Sequence, residues 1–376
     1  ISEMDWADFF EAASLTEARL RGVPGYGEMD FATRNSYRTA IEVLARHSVH
    51  EESAVTEAAL AAAGAGTTVA ARDPGYALTG AGLGALQQDL GYVPPWRGWL
   101  GRNLARLGLR GYIGAIAVAA GLFLVAALWL TGLQGAALAL TGLGVAFEAG
   151  TALVNLMVTR LVGPKPLPGM SLEQGIPAEL RTLVAVPVLL ADAQDLAAQI
   201  EQLEVHYLSS VGGAVHYALL SDGPDATEES TPPDAALIGA ARAAIAALNV
   251  TYPSEGGDRF LFLHRQRRWN PAEGVWMGWE RKRGKLTELN QLLRGAADTS
   301  FLPGPGVPDG VQFVITLDAD TRILRDTVRR LIGKMAHPLN RPVIDPVGQR
   351  VTSGYGILQP QVTPALPLGV DGSLYQ

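Results

Sequence analysis

Three aspartates stand at the ends of two predicted strands, where their carboxylates could bind a divalent cation. Residues 215–222 read VHYALLSD and end at Asp222, and residues 311–320 read VQFVITLDAD and end at Asp318 and Asp320. Two carboxylates placed so close together repel each other unless a cation joins them. Mg²⁺ or Mn²⁺ binds one or two protein carboxylates and completes its coordination with phosphate oxygens. The pattern therefore indicates a site for a metal-bound nucleoside diphosphate.

Other interpretations of the Asp-x-Asp pair lead to different roles. Asp320 or Thr321 could cap a helix, because short oxygen-bearing side chains accept hydrogen bonds from a helix N-terminus. Haloacid-dehalogenase-like phosphatases also use a strand-end Asp-x-Asp, but their pattern has Thr or Val where this sequence has Arg322. No Walker A string occurs in the sequence, which argues against a P-loop NTPase.

A basic segment precedes the Asp-x-Asp pair. Residues 259–294 contain nine Lys or Arg and three Glu, within a chain whose net charge is −7. Gly284 and the basic residues come just before a predicted helix, and a helix N-terminus beside cations binds anions. An exposed charged face is the alternative interpretation. Tryptophans that could stack on a base or a sugar are interleaved with these charges: Trp269, Trp276 and Trp279.

Strands and helices alternate from residue 181 onward, which predicts a mainly parallel, doubly wound α/β sheet with helices on both faces. The predicted strands are 181–190, 215–222, 259–266, 311–320 and 355–362. The predicted helices are 192–209, 234–248, 284–295 and 326–335. Ligands of such sheets bind beyond the carboxyl ends of the strands, which is where the aspartates lie.

A stretch without charge predicts a transmembrane helical hairpin at 111–159. Residues 111–147 contain no Asp, Glu, Lys or Arg, and the Gly-rich residues 132–135 divide the stretch. Glu148 interrupts the second apolar run and is expected to face a partner helix or to lie near the membrane interface. Basic residues flank both ends, which places both ends in the cytoplasm. A buried helical pair in a soluble domain is the alternative.

Composition narrows the function classes. The 376 residues include no cysteine, which excludes disulfides, thiol nucleophiles and Cys-ligated metals. The net charge of −7 argues against binding nucleic acid through overall charge. The predicted organisation is a helical segment at 1–62, a linker and basic juxtamembrane segment at 63–110, the hairpin at 111–159, a Pro/Gly linker at 160–179, and an α/β domain at 180–376. The ends at Ile1 and Gln376 suggest a piece of a longer chain.

Long strings along nearly the whole chain resemble the cyclic β-1,2-glucan synthases of bacteria. They are MDFATRNSYR (29–38), LEVHYLSS (203–210), HYALLSD (216–222), WMGWERKRGKLTELNQLLRG (276–295), FVITLDADT (313–321), RRLIGKMAHPLNRP (329–342) and GYGILQPQVT (354–363). The resemblance implies a membrane-embedded, inverting glucosyltransferase with a GT-A-type domain in the cytoplasm of a bacterial inner membrane. Its donor would be UDP-glucose, its acceptor a growing β-1,2-glucan, and its cofactor Mg²⁺ or Mn²⁺.

The resemblance also assigns roles to residues. Asp222 matches the family's first aspartate, at the nucleotide, and Asp318 and Asp320 match the catalytic metal pair. The family's diphosphate-contacting segment is similar to Lys282, Arg283 and Lys285. The acidic base and the Gln-x-x-Arg-Trp motif of related synthases do not follow in this sequence, so we expect the chain alone to be inactive. The alternative function is a membrane-tethered, non-catalytic module that binds a nucleotide sugar or a glycan.

Overall fold

A computed structural model of the chain describes residues 11–132, 136–161, 165–210, 212–254, 256–304 and 306–361. The chain divides into two compact units. The first unit contains residues 1–26 and 32–167, and the second contains residues 27–31 and 168–376.

The first unit is helical, as predicted for the amino-terminal segment. The helices before the apolar stretch are α1 (Leu15–Leu20), α2 (Phe31–Arg46), α3 (Glu52–Gly64), α4 (Pro74–Leu78) and α5 (Leu83–Asp89), and a 3₁₀ turn lies at Tyr26–Glu28. A buried carboxylate, Glu17, accepts a hydrogen bond from the Tyr26 hydroxyl and pairs with Arg38. Opposite charges thus meet where Glu17 is buried, which offsets part of the cost of burying its charge.

Two long apolar helices confirm the predicted hairpin. Helix α6 is Trp96–Thr131 and helix α7 is Ala136–Leu161. Gly132 ends α6 in a left-handed conformation, with φ 63°. The parts of these two helices that are long and apolar enough to cross a membrane are Gly108–Thr131 and Gly142–Arg160. Residues 96–107 precede the first of these spans in the same helix, and the helical geometry breaks at Gly108.

Small residues let α6 and α7 approach each other closely. A Cβ added at Gly150 would lie 2.8 Å from the Ala120 backbone nitrogen, so only glycine fits there. The Tyr112 hydroxyl donates a 2.7 Å hydrogen bond to Asn155 Oδ1. Both features are typical of helix pairs in membranes. Glu148, by contrast, is exposed on this pair of helices.

The second unit contains the predicted parallel sheet. Its four strands are β1 (Thr182–Leu189), β2 (Val215–Asp222), β3 (Phe260–His264) and β6 (Phe313–Thr316), after a 3₁₀ turn at Ala178–Leu180. The strands lie in the order β3-β2-β1-β6, and every neighbouring pair is parallel. The order reverses between β1 and β6, which is the point where open α/β sheets form a crevice at their carboxyl edge.

Side chains alternate between the two faces of the sheet, and helices cover both. Helices α8 (Ala193–Leu208), α9 (Pro232–Thr251) and α11 (Thr327–Ala336) cover the face that contains Val184 and Leu219, and α10 (Arg281–Leu293) covers the face that contains Ala185 and Leu220. Helix α9 is also long and apolar enough to cross a membrane by composition, but Ile245 and Leu248 on it belong to the sheet core. The strands are apolar along their length because both faces are buried.

Two short antiparallel hairpins were not predicted, and one predicted strand is wrong. Strands β4 (Arg268–Asn270) and β5 (Val275–Met277) pair with each other, as do β7 (Val343–Asp345) and β8 (Arg350–Ser353). Residues 355–361 form no strand, and residue 362 of that prediction lies outside the described residues. Strands of three or four residues are too short to show a period-2 pattern in the sequence.

Candidate functional site

A pocket lies at the carboxyl edge of β1 and β2 and brings together three of the predicted site residues. Its volume is about 220 Å³. The lining comprises Pro187, Val188, Leu189, Asp222, Gly223, Asp225, Gly278, Arg281, Lys282 and Lys285. Asp222 comes from the end of β2, while Lys282 and Lys285 come from the first turns of α10. The edge of a parallel sheet and the start of a helix thus meet at one place, which we call the edge pocket.

Asp222 is buried and fully engaged by cations. Arg265 donates to it in a bidentate manner, with Nε 2.8 Å from Oδ1 and Nη2 2.9 Å from Oδ2. Lys285 Nζ lies 3.0 Å from Oδ2. The Arg265 side chain has no exposed surface. A bidentate charge-assisted pair of this kind is strong and geometrically rigid.

Further bonds complete this buried ion-pair network, which comprises Asp222, Arg265, Lys285 and Glu288. Arg265 also donates to the backbone oxygen of Trp279 at 3.0 Å and contacts Glu288 Oε1 at 3.4 Å. The other Glu288 oxygen accepts from the Ser300 hydroxyl at 2.6 Å. Two positive and two negative groups are thereby buried together, which is the condition under which burial of charge is tolerated.

Lys285 is held by the strands rather than extended toward solvent. Its ammonium group donates to the backbone oxygens of Val188 at 2.6 Å and Leu220 at 3.2 Å. Burial lowers the pKa of Lys285, and the charge of Asp222 opposes that shift. Lys285 therefore fixes the helix start to the ends of β1 and β2 and forms part of the edge-pocket wall.

His264 lies beside Asp222 at the end of β3. Its Nδ1 is 2.7 Å from the Ser221 hydroxyl, which is fully buried. Burial lowers the pKa of His264 to about 4, although the charge of Asp222 acts in the opposite direction. His264 is consequently neutral at physiological pH and supports the strand ends through a hydrogen bond.

Glycine is required where the basic segment passes the network. A Cβ at Gly278 would lie 2.7 Å from Asp222 Cγ and 2.9 Å from Arg265 Nη2. A Cβ at Gly284 would lie 2.0 Å from the Trp279 backbone oxygen. Gly284 was predicted to precede the helix, which is wrong, because α10 begins at Arg281. The absence of a side chain at Gly284 lets Trp279, just before α10, pack against the first turn of that helix.

The second pair of predicted acids has a different environment. Asp318 and Asp320 follow β6 on a tight turn in which the Thr321 amide donates to the Asp318 backbone oxygen at 2.9 Å. Both aspartates are exposed, and Lys282 Nζ bonds Asp318. We call residues 318–321 the acid turn. Neither Asp320 nor Thr321 caps a helix, since α11 begins at Thr327, with Asp326 at its N-cap.

The acid turn presents two exposed carboxylates, Asp318 and Asp320. Across the described residues no group of three or more His, Cys, Asp or Glu could hold a metal. Asp318 and Asp320 therefore provide at most a two-carboxylate site, which suits Mg²⁺ or Mn²⁺ bound together with phosphate oxygens and water. The ammonium of Lys282 already places a positive charge at Asp318.

Most cations of the basic segment are paired with acids, several of which lie outside the segment. Arg267 donates hydrogen bonds to Asp234, and these bonds lower the pKa of the Asp234 carboxyl to about 2. Arg281 pairs with Asp225 at 2.7 Å, and Arg283 bonds Glu280 and does not line the edge pocket. The surplus charge read from the sequence is thus largely neutralised in the folded unit.

Sequence reasoning missed Arg265, Glu288 and Gly278. A signal for Arg265 exists in hindsight, because Ser221 and His264 are paired in adjacent parallel strands, so the residues that follow them, Asp222 and Arg265, are neighbours. That register became known only with the structure. The roles predicted for Asp222, Lys282, Arg283, Lys285, Asp318 and Asp320 in binding a donor or a metal remain predictions.

The fold and the site together define a class: a membrane protein with a parallel α/β domain whose carboxyl edge holds acids and lysines. No family model matches the chain. The chain is 43% identical, over 402 aligned residues that cover all of it, to the cyclic beta-(1,2)-glucan synthase NdvB of Rhizobium meliloti (strain 1021). This confirms the resemblance to cyclic β-1,2-glucan synthases. The chain spans 14% of the length of that relative.

Proposed function

We propose that this chain carries the donor-binding part of a membrane-embedded glucosyltransferase that builds β-1,2-glucan from UDP-glucose. The observation that carries the proposal is the edge pocket, where Asp222, Lys282 and Lys285 meet in a chain related to a glucan synthase. The parallel sheet and its strand-end acids are also what a GT-A-type domain requires. The domain would face the cytoplasm at a bacterial inner membrane, since basic residues flank both ends of the helical hairpin.

The acid turn is the proposed metal site. Asp318 and Asp320 would hold Mg²⁺ or Mn²⁺, and the bound ion would neutralise charge on the diphosphate. Lys282 bonds Asp318 and also lines the edge pocket, so its side chain lies between the acid turn and the pocket. Asp318 would hold the ion in place of the ammonium group of Lys282, which would then be free to bind a phosphate oxygen.

The residues of the buried network would act through position. Asp222 cannot bind a ligand through both oxygens while Arg265 and Lys285 occupy them. In this arrangement the network holds the start of α10 against the strand ends, which places Arg281 and Lys282 at the pocket. Preorganised cations of this kind stabilise negative charge on a leaving group without reorganising during the reaction.

The proposed reaction is one displacement with inversion. An acceptor hydroxyl gives its proton to a general base as its oxygen forms a bond to C1 of glucose. The bond between C1 and the phosphate oxygen breaks, and UDP departs with the electron pair. An α-linked donor then yields a β-linked product. Lys282 and Arg281 would face the negative charge that develops on UDP.

Calorimetric titration of the chain with UDP and UDP-glucose tests this function. We expect binding that requires Mn²⁺ or Mg²⁺ and is lost in Asp320→Asn. The matched control is Asp309→Asn, an exposed acid just before β6. Binding that is independent of metal, or unchanged in Asp320→Asn, would contradict the metal role. Protection from thermal unfolding by a phosphomonoester but not by UDP-glucose would favour a phosphatase, and binding without turnover in the longer protein would favour a non-catalytic module.

Membrane topology can be tested separately. Because the chain has no cysteine, a single introduced thiol reports its own location. Thr131→Cys, at the end of α6, should react with a membrane-impermeant maleimide added outside intact cells. Lys165→Cys, after α7, should react only once the cells are permeabilised. The reverse pattern would place the α/β domain outside the cytoplasm.

A further inference from the structure

A second pocket lies beside the edge pocket and is built around two exposed tryptophans. Its volume is about 530 Å³, and the β4–β5 hairpin and the residues just before α10 line it. Trp269 is 50% exposed and Trp279 is 45% exposed. The polar side chains around these rings are those of Arg268, Asn270, Glu273, Glu280 and Arg281. Large aromatic side chains left open in a concave site mark a place where a ligand binds.

The hairpin holds Trp269 in place. Trp269 is paired with Trp276 across the two strands, and their ring centroids are 6.0 Å apart. Trp276 in turn exchanges backbone hydrogen bonds of 2.8 and 2.9 Å with Ala226, in the loop after β2. Gly274 closes the hairpin with φ 67°, a conformation that favours glycine. The Trp269 ring is therefore presented on a turn that is anchored to the end of the central sheet.

The buried ion-pair network holds Trp279. Arg265 binds the Trp279 backbone oxygen, and the missing side chain at Gly284 leaves room for the Trp279 ring. The next two residues, Glu280 and Arg281, both have φ 46°, in the left-handed region. Two consecutive non-glycine residues in that region are strained, and such strain persists where surrounding contacts over-determine it. The two strained residues, Glu280 and Arg281, both line this pocket.

The charges of the lining favour a neutral ligand. Two basic side chains, Arg268 and Arg281, and two acidic ones, Glu273 and Glu280, line the tryptophan pocket. Asn270 adds an amide group. Opposed charges of equal number give no net attraction for a diphosphate, but they offer both donors and acceptors to hydroxyl groups. Flat aromatic faces accept the C–H faces of pyranose rings, so the lining matches a neutral oligosaccharide.

We infer that the tryptophan pocket binds the β-1,2-glucan chain, as a site for the acceptor or the growing product. The inference rests on the proposed function for the identity of the sugar. Arg281 lines both the tryptophan pocket and the edge pocket, so the two share a wall. A glucan end bound at the tryptophans is thus adjacent to the place where the donor would bind.

Calorimetry on the chain in lipid nanodiscs tests the inference with a linear β-1,2-linked glucotetraose as the probe. We expect Trp269→Ala and Trp279→Ala each to weaken tetraose binding by about tenfold, the loss of one strong contact. Trp269→Phe keeps an aromatic face and should retain most of the affinity. The control is Trp129→Ala, an exposed tryptophan of α6 outside the pocket, which should bind like the wild type. A parallel titration measures UDP with Mn²⁺.

The two titrations separate this inference from the proposed function. Tetraose binding that falls in both alanine variants, with UDP binding unchanged, supports the glucan site. Three results would overturn the glucan site: the wild type does not bind the tetraose, the alanine variants bind it as well as the wild type does, or Trp269→Phe loses as much affinity as Trp269→Ala. If the alanine variants lose UDP instead, the tryptophans contact the nucleotide and the inference is wrong. If the wild type binds tetraose through these tryptophans but never binds UDP, the glucan site stands and the donor proposal fails.

Discussion

The acids at two strand ends have opposite environments, although the sequence presents them alike. Asp222 at the end of β2 is buried between Arg265 and Lys285, whereas Asp318 and Asp320 after β6 are exposed. Burial with complete pairing makes the first acid a support for the pocket wall. Exposure leaves the second pair open to solvent, where the proposed function has Lys282 replaced by a metal ion. A strand-end acid can therefore hold a site together or bind the ligand, and its neighbours decide which.

Removing the central cation of the buried network is the strongest test of this difference. We expect Arg265→Met to lower the free energy of unfolding of the second unit by about 3–5 kcal/mol, because Asp222 would keep only Lys285 as a buried cation and Glu288 would lose its cation. Chemical denaturation followed by tryptophan fluorescence measures the change. Arg283→Met, whose side chain is 79% exposed, is the control and should change stability by no more than about 0.5 kcal/mol. Similar changes in stability for the two variants would contradict the structural role of the buried ion-pair network.

A methyl group placed against the network tests its packing. Gly278→Ala should cost about 1–3 kcal/mol, because the new Cβ would meet Asp222 Cγ at 2.7 Å. Gly239→Ala in α9 is the matched control: an added Cβ there meets no atom within 4 Å, and alanine favours the helix. In thermal unfolding, the melting temperature should fall in Gly278→Ala and rise slightly in Gly239→Ala. An unchanged melting temperature for Gly278→Ala would show that the network yields without cost.

His264 makes the stability of the second unit depend on pH. Its pKa is lowered to about 4 in the folded unit, so between about pH 6.5 and pH 4 the unfolded chain binds a proton that the folded chain does not. Stability should therefore fall by about 1–2 kcal/mol as the pH falls from 7 to 5. The variant His264→Asn should reduce that dependence, measured by denaturation at each pH, and leave the part due to His337, whose pKa burial also lowers to about 4. The control His50→Asn, at an exposed histidine, should leave it unchanged.

The smallest effect on stability is expected at the acid turn. Asp318→Asn removes only an exposed ion pair with Lys282, so the free energy of unfolding should change by less than about 0.5 kcal/mol. The same variant should lose Mn²⁺-dependent binding of UDP in calorimetry. A large loss of stability, or unimpaired metal-dependent binding, would place Asp318 with the structural acids instead.

The sequence predicted the large elements well, because each had a strong and separate signal. Strand β2 was predicted at its observed bounds, since a run buried on both faces ended in an acid. Helix α9 was predicted at 234–248 and observed at Pro232–Thr251, where Thr231 and Asp234 form a capping box. The short hairpin β4–β5 gave no such signal, and with it the tryptophan pocket was hidden. Isolated strands of three residues depend on their anchoring contacts, here the bridge to Ala226.

By itself the sequence determined the alternation of the four sheet strands with their helices, the apolar hairpin, the relationship to cyclic glucan synthases and the position of acids at strand ends. Only the tertiary structure decided which acid is buried and which is open. The reason is physical: charge pairing depends on distances between groups far apart in the chain. Parallel pairing of β2 with β3 puts Arg265 beside Asp222, and the start of α10 adds Lys285 to one acid and Lys282 to the other.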